Sequence, residues 1–283
     1  MANIKDFTGC SPTWCPGCGD WGILNSLKQS FINLELNPSD VAVVFGIGCS
    51  GNMNDFLNCN GFHALHGRGI PVAVGIKIAN HKMPVLTIQG DGDCYGEGGN
   101  HFIHSCRGNH DITVIVHDNR LYSLTTGQVS PTSPKKFKSK STPEGVIESP
   151  LNPLSIALLS GATFVAQTFA GDSNHMTNTI TQGIKHKGFS LINVLQPCVT
   201  FNKVNTFKYY LEKSYKLPTD YKSDNFKLAL NTSLEIFKEK YPLGVLYQVD
   251  SPSYTDQLPQ LRESTLVSKK RFDYFERILN IFK

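Results

Sequence analysis

Val85-Leu-Thr-Ile-Gln-Gly-Asp-Gly-Asp93 is the stretch on which the fold turns. Val85 to Gln89 is an apolar run that reads as a strand, and it runs straight into the turn Gly90-Asp91-Gly92-Asp93. Gly99 to Cys106 then has helical spacing, and Ile112 to Val116 is a second buried strand ending at Asp118-Asn119. The same alternation continues outward. Upstream lie a helix over Gly19 to Leu34, closed by Pro38, a buried strand over Val41 to Ile47, and a short helix over Pro71 to Ala79. Downstream come a helix at Pro153 to Leu159, a strand at Thr163 to Phe169, a helix at Asn174 to His186 and a strand at Ser190 to Leu195. Strands alternating with helices predict an α/β fold with a doubly wound, mostly parallel sheet.

Leu121 to Pro150 breaks the pattern. It is rich in Ser, Thr, Pro and Lys, and reads as a long functional loop beside the site. Beyond Cys198 the chain becomes more polar, with an amphipathic helix expected over Phe226 to Tyr241, an edge strand over Gly244 to Val249 and a terminal helix over Arg271 to Phe282. These shifts divide the chain into an α/β domain at 10–202 and a small helical extension at 203–283.

The 283 residues carry 40% hydrophobic and 18% charged side chains, with a net charge of +4. Those are ordinary globular values. The short run Lys135 to Lys140 reads as a solvated loop, so no nucleic-acid partner is expected. Neither a secretory signal nor a membrane span is expected, and the chain reads as cytoplasmic.

Ligands of parallel sheets sit beyond the carboxyl ends of strands, where Gly90-Asp91-Gly92-Asp93 falls. Glycine there lets the backbone approach a phosphate, and the following helix start offers free N–H groups. Asp91 supplies a hard oxygen for Mg²⁺, Asn119 a neutral one, and the carbonyl of Leu121 lies a short turn further on. The GDG turn and the later Asn match the signature that binds thiamine diphosphate. His66 and Arg68, in the glycine-punctuated loop from Gly61 to Arg68, suit a carboxylate or a developing negative charge, which makes them the candidate catalytic pair.

The chain has eight cysteines, too many to pass over in a compartment that keeps thiols reduced. Cys15 and Cys18 bracket a Pro-Gly turn that aims two thiolates at one metal. Cys49 and Cys198 each follow a strand, so they can converge on the same rim and complete the set. Four thiolates suit either a 4Fe–4S cluster or structural zinc.

Together these stretches (WCPGCG, GIGCSGN, HALHGRG, GDGD, DNRLYSLTTGQVSPT and LQPCVTFN) resemble the beta subunit of 2-oxoacid:ferredoxin oxidoreductases, from about Thr13 to Asn202. The resemblance implies thiamine diphosphate, Mg²⁺ and one 4Fe–4S cluster. It implies cluster ligation by Cys15, Cys18, Cys49 and Cys198, and Mg²⁺ on Asp91, Asn119 and the Leu121 carbonyl. Thiamine-diphosphate contacts are implied at Ile47, Gly48, Cys49 and Ser50, at His66, Gly67, Arg68 and Gly69, at Gly92 and Asp93, and at Ser123 and Leu124. The implied reaction is oxidative decarboxylation of a 2-oxoacid, pyruvate or 2-oxoglutarate, to an acyl-CoA, with electrons passing through the cluster to ferredoxin. An alpha subunit is implied as partner, supplying the domain that faces the aminopyrimidine ring. The chain departs from the family pattern at Ser123, where glycine is commoner, and near Cys59, Glu97 and Arg107-Gly108. Two other readings stay open on the residues alone: a non-redox thiamine-diphosphate decarboxylase or carboligase with inert or zinc-bound cysteines, and an iron–sulfur electron-transfer module.

Overall fold

A computed structural model describes residues 2–269 and 279–282 of the chain. The elements run α1 (Gly19–Asn33), β1 (Ala42–Phe45), α2 (Gly48–Gly51), α3 (Met53–Phe56), β2 (Asn60–His63), α4 (Gly69–Ala79), β3 (Val85–Gly90), α5 (Gly99–Arg107) and β4 (Thr113–Asp118). They continue with β5 (Leu121–Tyr122), β6 (Gln128–Val129), α6 (Pro153–Leu159), β7 (Phe164–Phe169), α7 (Ser173–Lys185) and β8 (Ser190–Leu195). Last come α8 (Phe207–Lys213), β9 (Ser214–Lys216), α9 (Phe226–Ser233) and β10 (Tyr241–Gln248).

The main sheet has the order β2-β1-β3-β4-β8-β7-β10-β9, with β2 through β7 parallel and β10 antiparallel to β7. Strands β1, β3, β4, β7 and β8 have every residue buried apart from Gly90, as a sheet covered on both faces requires. Their side chains alternate between two cores. Val43, Phe45, Leu86, Ile88 and Ile115 pack under α1 and α7, while Val44, Val85, Val114 and Val116 pack under α4, α5 and α6. On α1, Ile23, Leu24, Leu27 and Phe31 form the buried stripe; truncating Phe31 to alanine costs about 3–5 kcal/mol.

The doubly wound architecture is the one expected. Four details differ. Gly61 to His63, read as loop, belong to the strand β2. Its four residues are exposed, so no apolar alternation marks it, and it is held at the sheet edge by backbone pairing to β1. The helix expected to reach Tyr241 stops at Ser233, tightens over Leu234–Lys238, and is ended by Glu239 in the left-handed conformation (φ 55°). The Gly244 strand begins earlier, at Tyr241, and is not an edge, because β9 pairs along its outer side. The extension beyond residue 202 is therefore not wholly helical, and its β10 extends the main sheet. The terminal helix expected over Arg271 to Phe282 lies largely outside the described residues. Among the described residues no helix is long and apolar enough to cross a membrane.

Candidate active site

Since β1, β3, β4 and β8 are parallel neighbours, their carboxyl ends share one rim. Gly46-Ile47-Gly48 leaves β1 there, Asp91 leaves β3, Asn119 leaves β4 and Gln196-Pro197-Cys198 leaves β8. A cavity of about 200 Å³ opens on this rim. It is lined by Ile47, Gly48, Cys49, Ser50, His66, Gly92, Asp93, Asn119, Leu121, Ser123 and Leu124, with Gly90, Tyr122 and Thr125. Gly48 has φ +80°, and a Cβ there would meet open space, which leaves that stretch of backbone bare toward the cavity.

The turn after β3 is wider than an α-helical one. Gly98 N–H reaches the Asp93 carbonyl, five residues back, at 2.8 Å. Asp93 holds this turn to two loops. Its Oδ1 accepts from Gly67 N–H at 2.6 Å, and its Oδ2 accepts from Gln89 Nε2 at 2.9 Å and Ile47 N–H at 3.2 Å. A β-carbon on Gly46 would stand 1.9 Å from Asp93 Oδ2, so only glycine lets that carboxylate in. Asp93 thus shapes the cavity wall, with both oxygens already engaged by the protein.

Asp91 lies beneath the wall and is wholly buried. Its Oδ2 accepts from the hydroxyls of Ser130 and Thr132, the latter at 2.7 Å. Oδ1 has no partner. The single Thr132 hydroxyl proton is shared between Asp91 and Asp118, whose Oδ1 lies 2.8 Å away. Burial and the Asp118 charge push the Asp91 carboxyl up to about 7. An orphaned oxygen on a buried carboxylate is what a cation site presents. Asn119 completes the corner: its Oδ1 accepts from Leu121 N–H at 3.0 Å, and its Nδ2 donates to Ser123 Oγ at 3.1 Å. The donor set fits Mg²⁺, with one carboxylate, one amide and a carbonyl.

At the mouth, His66 Nδ1 lies 2.9 Å from Glu97 Oε2. A carboxylate there favours the Nδ1–H form and leaves Nε2 for the cavity that His66 lines. Arg68 is exposed, its guanidinium 3.5 Å from the Gly67 carbonyl, and it does not line the cavity. Gly67 and Gly69 stand behind the wall, and their backbone spaces the loop.

A second cavity, of about 210 Å³, adjoins the first. Cys15, Cys18, Cys49 and Cys198 all line it, and Cys49, Ser123 and Leu124 belong to both cavities. Gly17, at φ +78°, makes the turn that returns Cys18 N–H to the Cys15 carbonyl at 3.0 Å. Trp14 closes the side, donating Nε1–H to the Cys49 carbonyl at 2.7 Å and stacking edge-on to Trp21 and Phe56. Trp21, on α1, is partly exposed beside this turn and donates to the Cys15 carbonyl at 3.2 Å. Three side chains donate to cysteine sulfurs: Thr200 to Cys15 at 3.0 Å, Gln196 to Cys18 at 3.3 Å and Ser123 to Cys49 at 3.6 Å. Burial pushes the Cys49 thiol up to about 11, and burial together with Asp20 pushes Cys18 well up, which favours the neutral thiol at both. Among the described residues no three His, Cys, Asp or Glu side chains are grouped to hold a single metal ion. The cysteines ring a space.

The family model for the C-terminal, thiamine pyrophosphate-binding domain of thiamine pyrophosphate enzymes matches residues 46–194. The model for the C-terminal part of the pyruvate ferredoxin oxidoreductase beta subunit matches 198–263. The 2-oxoacid:ferredoxin oxidoreductase subunit beta of a Sulfolobus species is 42% identical over 259 residues, 87% of this chain and 85% of that protein. The chain belongs to this beta-subunit family. The 2-oxoglutarate synthase subunit KorB of Methanocaldococcus jannaschii is 35% identical, over 88% of this chain and 92% of that one. A solved 2-oxoglutarate:ferredoxin oxidoreductase from Magnetococcus marinus, with 2-oxoglutarate, coenzyme A and succinyl-CoA bound, superposes with a TM-score of 0.92 at 35% identity, covering 100% of this chain and 96% of that one. This beta subunit is therefore part of an oxidoreductase of the thiamine-diphosphate class, and it works with other subunits.

Within that beta-subunit fold, most of the residues singled out in the sequence line one or both of the two cavities, whereas Asp91, Gly67 and Gly69 lie behind the wall and Arg68 outside it. Ser130 and Thr132 were not singled out. Their only signal is their place in the hydroxyl-rich loop after β4, and the structure lays that loop against Asp91 and Asp118. Gln196 and Thr200 were missed too, although each lies two residues from Cys198.

Proposed function

We propose that this beta subunit holds thiamine diphosphate and Mg²⁺ in the first cavity and a 4Fe–4S cluster in the second. With an alpha subunit it would carry out the CoA-dependent oxidative decarboxylation of a 2-oxoacid, 2-oxoglutarate or pyruvate, with electrons leaving through the cluster to ferredoxin in the cytoplasm. The observation that carries this reading is the shared wall, since Cys49, Ser123 and Leu124 line both cavities. A carbon centre oxidised on one side of that wall has an electron acceptor on the other. The relatives named for 2-oxoglutarate chemistry support the substrate class.

Bound thiamine diphosphate supplies the electron sink that makes loss of CO₂ from a 2-oxoacid feasible. The chain's own residues do the rest. Asp91, Asn119 and the Leu121 carbonyl would hold Mg²⁺, and the bare stretch at Gly48 would admit the diphosphate, with Gly92 on the same cavity wall packed against the Tyr122 ring. Asp93 keeps three loops in register around that cavity. His66, oriented by Glu97 through Nδ1–H, turns an accepting Nε2 to the mouth and would take up a proton there. A lone zinc draws four sulfurs to about 2.3 Å from one point, whereas four cysteines around a cavity leave room for a larger inorganic core.

Protein purified anaerobically should be brown and carry about four irons and four acid-labile sulfides per chain. Stoichiometric zinc without iron, from iron-replete cells, would sink the cluster reading. Asp91→Ala should abolish Mg²⁺-dependent thiamine-diphosphate binding and leave the iron content unchanged; unaltered cofactor affinity would overturn the Mg²⁺ assignment.

A further inference from the structure

Ser123 stands between the two proposed sites. Its Oγ accepts from Asn119 Nδ2 at 3.1 Å and donates to Cys49 Sγ at 3.6 Å, so one hydroxyl joins a proposed Mg²⁺ ligand to a proposed cluster ligand. The side chain is buried, and the neighbours on both sides fix its direction of donation. Asn119 Nδ2 can only give a proton, which leaves the serine proton for sulfur.

Resting on the reading above, we infer that Ser123 is a positioning residue that couples the cluster's reduction potential to occupancy of the thiamine-diphosphate site. A hydroxyl donated to a cluster sulfur stabilises the reduced, more negative state more than the oxidised one, and so raises the potential. Mg²⁺ on Asn119 Oδ1 would polarise the amide and strengthen its Nδ2–H as a donor. A hydroxyl that accepts a stronger hydrogen bond donates a stronger one. Loading the cofactor therefore raises the potential of the acceptor beside it. By reciprocity, the reduced protein binds Mg²⁺ and thiamine diphosphate more tightly than the oxidised protein, by the same factor. Thr200 and Gln196 also donate to cluster sulfurs, on Cys15 and Cys18, but neither bonds to Asn119. They set the baseline and carry no coupling.

The test is a redox titration of the anaerobic, iron-loaded complex, followed by EPR, with and without Mg²⁺ and thiamine diphosphate. The wild type should shift upward on loading by up to a tenfold change in the reduction equilibrium, about 59 mV for one electron. Ser123→Ala should start lower and lose the loading shift, while Ser123→Thr, which keeps the hydroxyl, should retain it. Thr200→Val should start lower yet keep the full loading shift. Thiamine-diphosphate affinity, measured on oxidised and reduced protein, should differ in the wild type and be equal in Ser123→Ala. A wild-type potential indifferent to loading, or a Ser123→Ala protein that keeps the shift, overturns the coupling while leaving the cluster in place. Absence of iron overturns the underlying reading, and the coupling with it.

Discussion

Asp91 and Asp93 differ by two positions and by everything that surrounds them. Asp93 has both oxygens engaged by three donors, whereas Asp91 has one oxygen orphaned and a carboxyl raised to about 7 by burial and by Asp118. Without a cation, folded Asp91 holds its proton more tightly than it does in the unfolded chain, whose value is near 3.8. Its contribution to stability is then fully present below about pH 4 and lost as pH rises through 7. Mg²⁺ reverses the preference. Affinity for Mg²⁺ and thiamine diphosphate should therefore fall as pH drops through 7, and the cofactor's lift of the thermal midpoint should be largest above 7. Asp91→Asn should flatten that dependence and raise the midpoint of cation-free protein at pH 8. Asp93→Ala should instead cost about 3 kcal/mol at every pH because it strands three donors, two of them buried. Calorimetry from pH 5 to 8 checks both, and equal behaviour of the two variants would refute the distinction. The places of Asp91 and Asn119 at strand ends were legible in the sequence because glycine and apolar runs frame them. Ser130 and Thr132 were not, since hydroxyls in an aperiodic loop carry no signal until the loop is seen lying on a carboxylate.

Elements with a buried face were readable, and those held by backbone alone were not. Continuous apolar runs marked β1, β3, β4, β7 and β8 because both of their faces are covered, while exposed β2 left no trace. The stop at Glu239 depends on a left-handed residue that no composition rule singles out. Spacing between elements is set just as locally at Gly67, where φ is +62° and an added Cβ would lie 2.5 Å from the Glu97 backbone. Gly67→Ala should push the His66 loop off the wide turn after β3 and break the Gly67–Asp93 bond. We expect at least tenfold weaker thiamine-diphosphate binding, the equivalent of about 1.4 kcal/mol, with iron content unchanged. Calorimetric titration alongside iron analysis reads both, and intact affinity would mean the loop does not shape the cavity.

Across the whole molecule, the later part of the chain is tied to the site. Arg120, next to Asn119, donates to the Tyr241 hydroxyl at 2.8 Å and lies over that ring at 5.1 Å, so β10 braces the loop that holds the proposed Mg²⁺ ligands. What the chain leaves uncovered is the mouth. Leu124 and Phe201, which line the two cavities, are 52% and 38% exposed, and Leu65, beside His66, is 78% exposed. Large apolar side chains grouped around a cofactor cavity are what a partner subunit covers. Thiamine-diphosphate chemistry also needs a glutamate against the aminopyrimidine ring, and among the described residues no glutamate lines the first cavity. In our reading that group comes from the alpha subunit. The beta chain purified alone should therefore bind thiamine diphosphate weakly and reduce no ferredoxin with any 2-oxoacid. Adding the alpha subunit should restore both, and Leu124→Glu or Leu65→Glu should block assembly without changing the iron content of the free beta chain. Full 2-oxoacid-dependent reduction by the homogeneous beta chain would falsify this, because it would place every catalytic group on one polypeptide.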